Sequence, residues 1–257
     1  MSGEVRFVTS DAHGVVHAVI HHAGKQNALS MAMWQQLRAG FEQLKADSQA
    51  RVVVLSGDGA HFAAGGDIAE FPLFRFDEDQ LRRFHEVIVA PALRALLDCE
   101  LPLLAAIEGS CIGGGLEIAA CCDLRIAARG SRYGIPIARL GFPLAPSEAQ
   151  IVHRMLGDAL LRELLLEARL LPADEALARG IVSRIVDDGQ ALTEAMNSAR
   201  RIAELSPQAH RLNKQTLAQI AAGGPSAAQR DEHFSYADSA EHREGLAAFS
   251  DKRPARF

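Results

Sequence analysis

Strand-like and helix-like patterns alternate through about 190 residues of this chain, after which only helix-like patterns remain. That alternation restricts the fold to stacked β/α units around a mostly parallel sheet, since parallel neighbours need a covering crossover between them. Val5–Thr9 and Val15–Ile20 read as strands joined by a turn around Asp11–Gly14. Ser30 opens a helix reaching about Ala46, with Met33, Leu37, Phe41 and Leu44 spaced by three and four. Arg51–Ser56 and Leu103–Ile107 read as buried strands, and Glu78–Leu97 as a helix that Pro91 kinks or splits. Glu108 to Gly115 is a glycine-rich turn feeding a helix from Gly114 to about Cys122. Asp123–Ala127, Arg132–Gly134 and Val182–Val186 are further strands. Ser147 is expected to cap a helix over Glu148–Leu156, and Asp158 a second one to about Glu167, followed by a short helix over Pro172–Arg179. From about Gln190 the pattern is helical, broken at Ser206-Pro207 and Gly223-Gly224-Pro225. Residues 1–190 are therefore expected to form the core, and 191–257 a helical lid or assembly region.

Composition narrows the function. A net charge of −5 provides no broad basic field, so nucleic acid is not expected as a partner, although a local basic spot for a phosphorylated ligand remains open. The N-terminal stretch lacks a basic start followed by an apolar run, and no apolar stretch reaches membrane-spanning length. Cys99, Cys111, Cys121 and Cys122 form no CxxC pair, which fits reduced thiols and a cytoplasmic location. The histidines show no HExxH or comparable spacing, so no metal site is expected.

Two segments carry chemistry. His61-Phe62-Ala63-Ala64-Gly65-Gly66-Asp67-Ile68 follows a strand, and its small residues let the backbone approach a ligand closely. Gly113-Gly114-Gly115-Leu116-Glu117 joins a strand to a helix, where unpaired N–H groups and the helix dipole favour developing negative charge. Two such turns on neighbouring units can supply two convergent backbone donors, an oxyanion hole, with the Glu117 carboxylate near the same bound atom. Taken alone, a glycine-rich turn of this kind is more often a packing device than a catalytic site.

The segments KQNALS, FAAGGDIAEF, IEGSCIGGGLEIAACCDLRIA, LPADEALARGIVSRIV and REGLAAFSDKRPARF occur in this order. Together they resemble the signatures of the enoyl-CoA hydratase/isomerase (crotonase) superfamily from about residue 5 to Phe257. The resemblance implies an α/β, crotonase-like spiral of ββα units with a C-terminal helical region, assembled as a homotrimer or homohexamer. It implies an acyl-CoA substrate with no separate cofactor, coenzyme A being part of the substrate. The oxyanion donors map onto the N–H groups of Gly66 and Gly114, and the catalytic acid onto Glu117. Lys25, Gln26 and Ala28 match the element along the nucleotide end of coenzyme A, with a solvated loop as the alternative for Lys25. Ala64 and Ile68 match the adenine and pantetheine path; Asp67 matches the acid of the family's AD pair, a substrate-binding position, although it is better read as holding its own turn. The resemblance also places Ile112, Pro136, Ile137 and Leu140 among the residues that bind the substrate or its coenzyme A. Phe249 and Lys252 match positions that reach a neighbouring subunit's coenzyme A.

One departure bears on the reaction. Family hydratases usually carry a second glutamate in a motif of the form FGxPExxLG, which reads Tyr133-Gly134-Ile135-Pro136-Ile137-Ala138-Arg139-Leu140-Gly141 here, so Ile137 stands in its place. Isoleucine transfers no proton, which favours single-glutamate, isomerase-like chemistry over hydration. Glu148 offers a replacement acid, but a carboxylate in the first turn of a helix is its favoured reading. Arg139 can meet a carboxylated acyl group or point outward. The alternatives are a decarboxylase or hydrolase of the same family and a non-catalytic acyl-CoA binding protein. A serine peptidase is set aside, because no GxSxG elbow accompanies a plausible histidine.

Overall fold

The computed structural model describes residues 2–9 and 13–257. The strands β1 (Glu4–Thr9) and β2 (Val15–His21) pair antiparallel; of the turn expected between them, Asp11 and Ala12 lie outside the described residues. Helix α1 (Met31–Leu44) starts where expected, at Ser30, whose hydroxyl accepts the Met33 N–H at 3.3 Å. The expected stripe of Met33, Leu37 and Phe41 is its buried face. Next come β3 (Val52–Gly57), α2 (Glu78–Arg83) and α3 (Ala90–Leu97). Between α2 and α3 the expected helix is interrupted by a π-helical stretch, Phe84–Val89, where the Ala90 N–H reaches back five residues to the His85 carbonyl. Pro91, at the second position of α3, has no N–H to donate, and the wider turn accommodates it without ending the helix.

Two successive units then repeat one plan. β4 (Leu103–Ile107), β5 (Ser110–Ile112) and α4 (Gly114–Ala120) form the first; β6 (Leu124–Ala128), β7 (Arg132–Gly134) and α5 (Pro146–Glu167) form the second. They are followed by β8 (Leu171–Pro172), α6 (Ala173–Ala178) and β9 (Arg184–Val186). The leading strands build a six-stranded sheet in the order β1-β2-β3-β4-β6-β9, parallel beyond β2, while β5, β7 and β8 form a separate sheet. Each ββα unit thus advances one place in both sheets, and the chain climbs as the α/β spiral that the resemblance implies. The strand β5 is a correction to the sequence reading, which saw only a turn there; it is too short for alternation to reveal.

The parallel strands are apolar on both faces because both are covered. Val53, Leu55, Leu103 and Ala105 face the larger core with α1 and α3. Val52, Val54, Leu104 and Ala106 face α7 (Ala191–Ala203), which lays Ala191, Ala195, Ala199 and Ala203 along the sheet. Small side chains at every fourth position let α7 lie close, so the first helix after residue 190 completes the core. Beyond it lie α8 (Pro207–Ala221), α9 (Ala227–His233) and α10 (Ala240–Ser250), with breaks at the expected Pro and Gly positions. Lys214 on α8 ties this region to the sheet, donating to the Leu101 carbonyl at 2.7 Å and pairing with Asp123 at 2.8 Å. No helix among the described residues is long and apolar enough to cross a membrane.

The start of α5 also differs from expectation. Ala145, not Ser147, occupies the cap position and Pro146 the first helical one, where a missing N–H costs nothing. Ser147 instead donates to the Glu86 carboxylate at 3.3 Å. The expected division into two helices survives only as a local break at Gly157, whose φ of 72° and ψ of 168° interrupt the helical dihedrals. Glu148 consequently becomes the third residue of α5 and turns inward.

Candidate active site

The first glycine turn is threaded between two other segments. On one side the Ala63 N–H donates to the Ser110 carbonyl at 2.9 Å, and the Ile112 N–H to the Ala63 carbonyl at 3.0 Å. On the other, the Leu29 N–H donates to the Gly65 carbonyl at 2.7 Å, and the Asp67 N–H to the Leu29 carbonyl at 2.9 Å. The residues flanking Gly66 make both of these bonds, so its own N–H points away from Leu29. The second turn runs through Gly113, at φ 50°, into Gly114, the first residue of α4, whose N–H has no intrahelical acceptor. The two turns touch: a Cβ on Gly113 would lie 3.6 Å from the Gly65 Cα. Gly66 and Gly114 both line a single pocket of about 270 Å³. Among the described residues, neither N–H is taken by a loop, turn or cap hydrogen bond.

The pocket walls hold two carboxylates. Glu117, in the first turn of α4, is 6% exposed, and Glu148 of α5 is 1% exposed; both line the cavity. Glu148 does lie in the first turn of its helix, as favoured, but it also reaches the pocket, so the reading of Glu117 as the lone carboxylate there is corrected. Glu148 Oε1 is hydrogen-bonded to His85 Nδ1 at 2.9 Å, and His85 also lines the pocket, from the π-helical stretch. Burial first, and then the negative charge of Glu148, push the Glu117 carboxyl well above the usual carboxylate range, against the pull of Arg75. Arg75 lines the same wall, its guanidinium carbon 3.5 Å from the ring centroid of Phe142 and 4.3 Å from that of Phe71. Burial lowers its pKa, while Glu148 and Glu117 favour its charge.

Of the residues singled out in the sequence, Ala64, Gly66, Ile68, Ile112, Gly114, Glu117, Pro136, Ile137 and Leu140 all line this pocket. Ile137 occupies the wall of the 3-10 turn Pro136–Leu140, where it packs against the core. Arg139, from the same turn, is exposed and donates to the Ala168 carbonyl at 2.7 Å. The loop after β2 does not reach the pocket. There Lys25 pairs with Asp67 at 2.6 Å, the Gln26 carbonyl accepts the Ala64 N–H, and the Ala28 carbonyl is hydrogen-bonded to His22. Asp67 also caps the 3-10 turn Ile68–Leu73 through the Ala69 N–H, and burial works to raise its pKa while Lys25 and that N–H bring it below the ordinary value. Phe249 and Lys252 lie at the C-terminal end, away from this pocket, with Phe249 85% exposed. Sequence reasoning missed Arg75, His85 and the aromatic wall of Trp34, Phe71, Phe84 and Phe142. None of them stands in a recognisable motif, and the π-helical stretch that presents His85 has no sequence signal beyond the nearby proline.

A family model described as enoyl-CoA hydratase/isomerase matches residues 11–257. The crystal structure of an enoyl-CoA hydratase/carnithine racemase from Magnetospirillum magneticum superposes with a TM-score of 0.94 at 36% identity, covering 98% of this chain and 94% of that one. The mitochondrial methylglutaconyl-CoA hydratase of Rattus norvegicus is 30% identical over 98% of this chain and 82% of its own length. The mitochondrial Delta(3,5)-Delta(2,4)-dienoyl-CoA isomerase of Mus musculus is 33% identical over 79% of this chain and 65% of its own length. The chain belongs to the enoyl-CoA hydratase/isomerase family.

Proposed function

We propose that this enzyme adds water across the 2,3 double bond of a short enoyl-CoA, using Glu117 and Glu148 as its two acids. The observation carrying this is the burial of a second carboxylate in the pocket that Glu117 lines. The thioester oxygen accepts hydrogen bonds from the Gly66 and Gly114 N–H groups, which stabilise the charge that grows as the enolate forms; each donor contributes about 3–4 kcal/mol by analogy with other oxyanion holes. Glu117, whose carboxyl burial holds above the usual carboxylate range, delivers a proton to C2. Glu148, held by His85, takes the proton of the water whose oxygen bonds to C3. One proton leaves water, one reaches carbon, and exchange with solvent restores both acids. No cofactor takes part, since the thioester itself is the electron sink. The nucleotide end of coenzyme A is assigned to the loop of Lys25, Gln26 and Ala28, and Phe249 and Lys252 serve a neighbouring subunit in a trimer or hexamer.

The second reading is the single-glutamate isomerase, which moves a double bond from the 3- to the 2-position. Ile137 favours it, placing an apolar wall where a water-holding acid stands in hydratases. Crotonyl-CoA and a 3-enoyl-CoA, offered separately and followed at the absorbance of the conjugated thioester, separate the two. Hydration of crotonyl-CoA supports the two-acid reading. Turnover of the 3-enoyl-CoA alone overturns it in favour of the isomerase, and binding without turnover of either favours an acyl-CoA binding protein.

A further inference from the structure

Arg75 is a charged group in the pocket that the reaction above does not use. Its Nε is buried without a hydrogen-bond partner. Among the described residues it joins no ion pair, although two carboxylates line the same cavity and act on its charge. Glu148 is engaged by His85 instead, at 2.9 Å. The guanidinium lies against the faces of Phe142 and Phe71, both of which line the pocket. Stacking of this kind covers the faces of the guanidinium and leaves its edge, with its fork of N–H donors, for an in-plane partner. A buried donor left unpaired is costly, and Nε is the enclosed one; the terminal nitrogens of the guanidinium are not among the buried unpaired atoms and are the ones open to a ligand. Arg139, the other arginine lining the cavity, is already committed to the Ala168 carbonyl.

We infer that the acyl group taken by this pocket carries a carboxylate of its own, which Arg75 receives through its guanidinium edge. The substrate class is thus the monothioester of a short dicarboxylic acid. At about 270 Å³ the cavity lies below the roughly 300–1,000 Å³ that encloses drug-sized ligands, which matches a short acyl chain. This inference rests on the acyl-CoA reading of the site, but not on which reaction follows.

Two saturated thioesters of equal chain length test it, since neither can be hydrated: glutaryl-CoA, ending in a carboxylate, and pentanoyl-CoA, ending in a methyl group. Calorimetric titration of the full chain at neutral pH should show glutaryl-CoA binding at least about tenfold more tightly, as expected for a charge-assisted bidentate contact. Arg75→Gln should bring the ratio of the two dissociation constants close to one, and Arg75→Lys should retain part of it. Equal binding of both thioesters by the wild-type protein overturns the inference, even if no variant folds. An unchanged ratio in Arg75→Gln, with both affinities moved together, also overturns it and makes Arg75 a counter-charge to the glutamates. A preserved preference with no hydration of any enoyl-CoA would leave this inference standing and sink the proposed reaction. Failure to bind either thioester would sink both.

Discussion

Gly114→Ala and Gly66→Ala differ by the same methyl group, yet the structure assigns them different fates. At Gly114 the new Cβ would lie 2.8 Å from Trp34 Cζ2 and 3.0 Å from Leu29 Cδ1. Both neighbours are fully packed core residues, so neither can yield freely. Overpacking of this kind costs about 1–3 kcal/mol, offset by about 0.5–1 kcal/mol because alanine loses less freedom than glycine on entering a helix. The net loss of about 0–2.5 kcal/mol corresponds to a fall in Tm of up to roughly 10 °C for a protein of this size. Relief of the clash requires the start of α4 to move, and the Gly114 N–H moves with it. Complete loss of an oxyanion donor costs about 10²–10³ in kcat, so a displaced one should cost about 10–100-fold. At Gly66 the Cβ would meet only the ring edge of Phe71, at 3.2 and 3.4 Å, and that side chain can give way. Gly66→Ala should therefore hold its stability within about 0.5 kcal/mol and keep most of its activity, since the N–H donor remains. Thermal denaturation and initial rates on the preferred enoyl-CoA measure both effects. A folded Gly114→Ala variant with wild-type kcat would refute the donor assignment. A Gly66→Ala variant worse than Gly114→Ala would refute the steric argument.

Glu117→Gln and Glu148→Gln should each lower kcat about 10²–10⁴-fold, and the double variant should fall little further because the two act as one unit; full activity in Glu148→Gln would return the site to one acid. In a Glu148→Gln enzyme with residual activity, one cause of the raised Glu117 pKa is gone while burial remains. The alkaline limb of its pH–rate profile, where the Glu117 proton is lost, should then move to lower pH, and a limb that stays in place contradicts the coupling. The lowered pKa of Asp67 means that its ionised form stabilises the fold above the unfolded value of about 3.9, and this contribution disappears as pH falls through the folded value. Lys25 is 41% exposed, so Lys25→Ala should cost about 1 kcal/mol or less at pH 7, with no difference from wild type once Asp67 is protonated; urea unfolding at both ends of that range checks it. Light scattering should give a trimer or hexamer at micromolar concentration, and a stable monomer would remove the role assigned to Phe249 and Lys252.

What could be read in the chain alone was whatever the chain carries locally. The two glycine turns, Glu117 and the strand–helix alternation each occupy a few consecutive residues, and each lies where its spacing implies. The short strands β5 and β8 could not be found this way, because two or three residues show no period and pairing with a distant partner defines them. Glu148 marks the same limit in the site. Reading Ile137 as the loss of an acid equates a chain position with a place in the pocket, whereas a proton relay needs a carboxylate at a point in space. His85 and Glu148 meet across 63 positions of sequence, brought together by a π-helical stretch and by a proline that moves the start of α5. Pro146 opens that helix without needing a capping hydroxyl, and the side chains of a first turn lean back towards the helix N-terminus. Glu148 therefore projects from the end of α5 into the pocket. An acid absent from the 3-10 turn is thus available from the helix that follows it, from a residue that in sequence looks like an ordinary complement to the helix dipole.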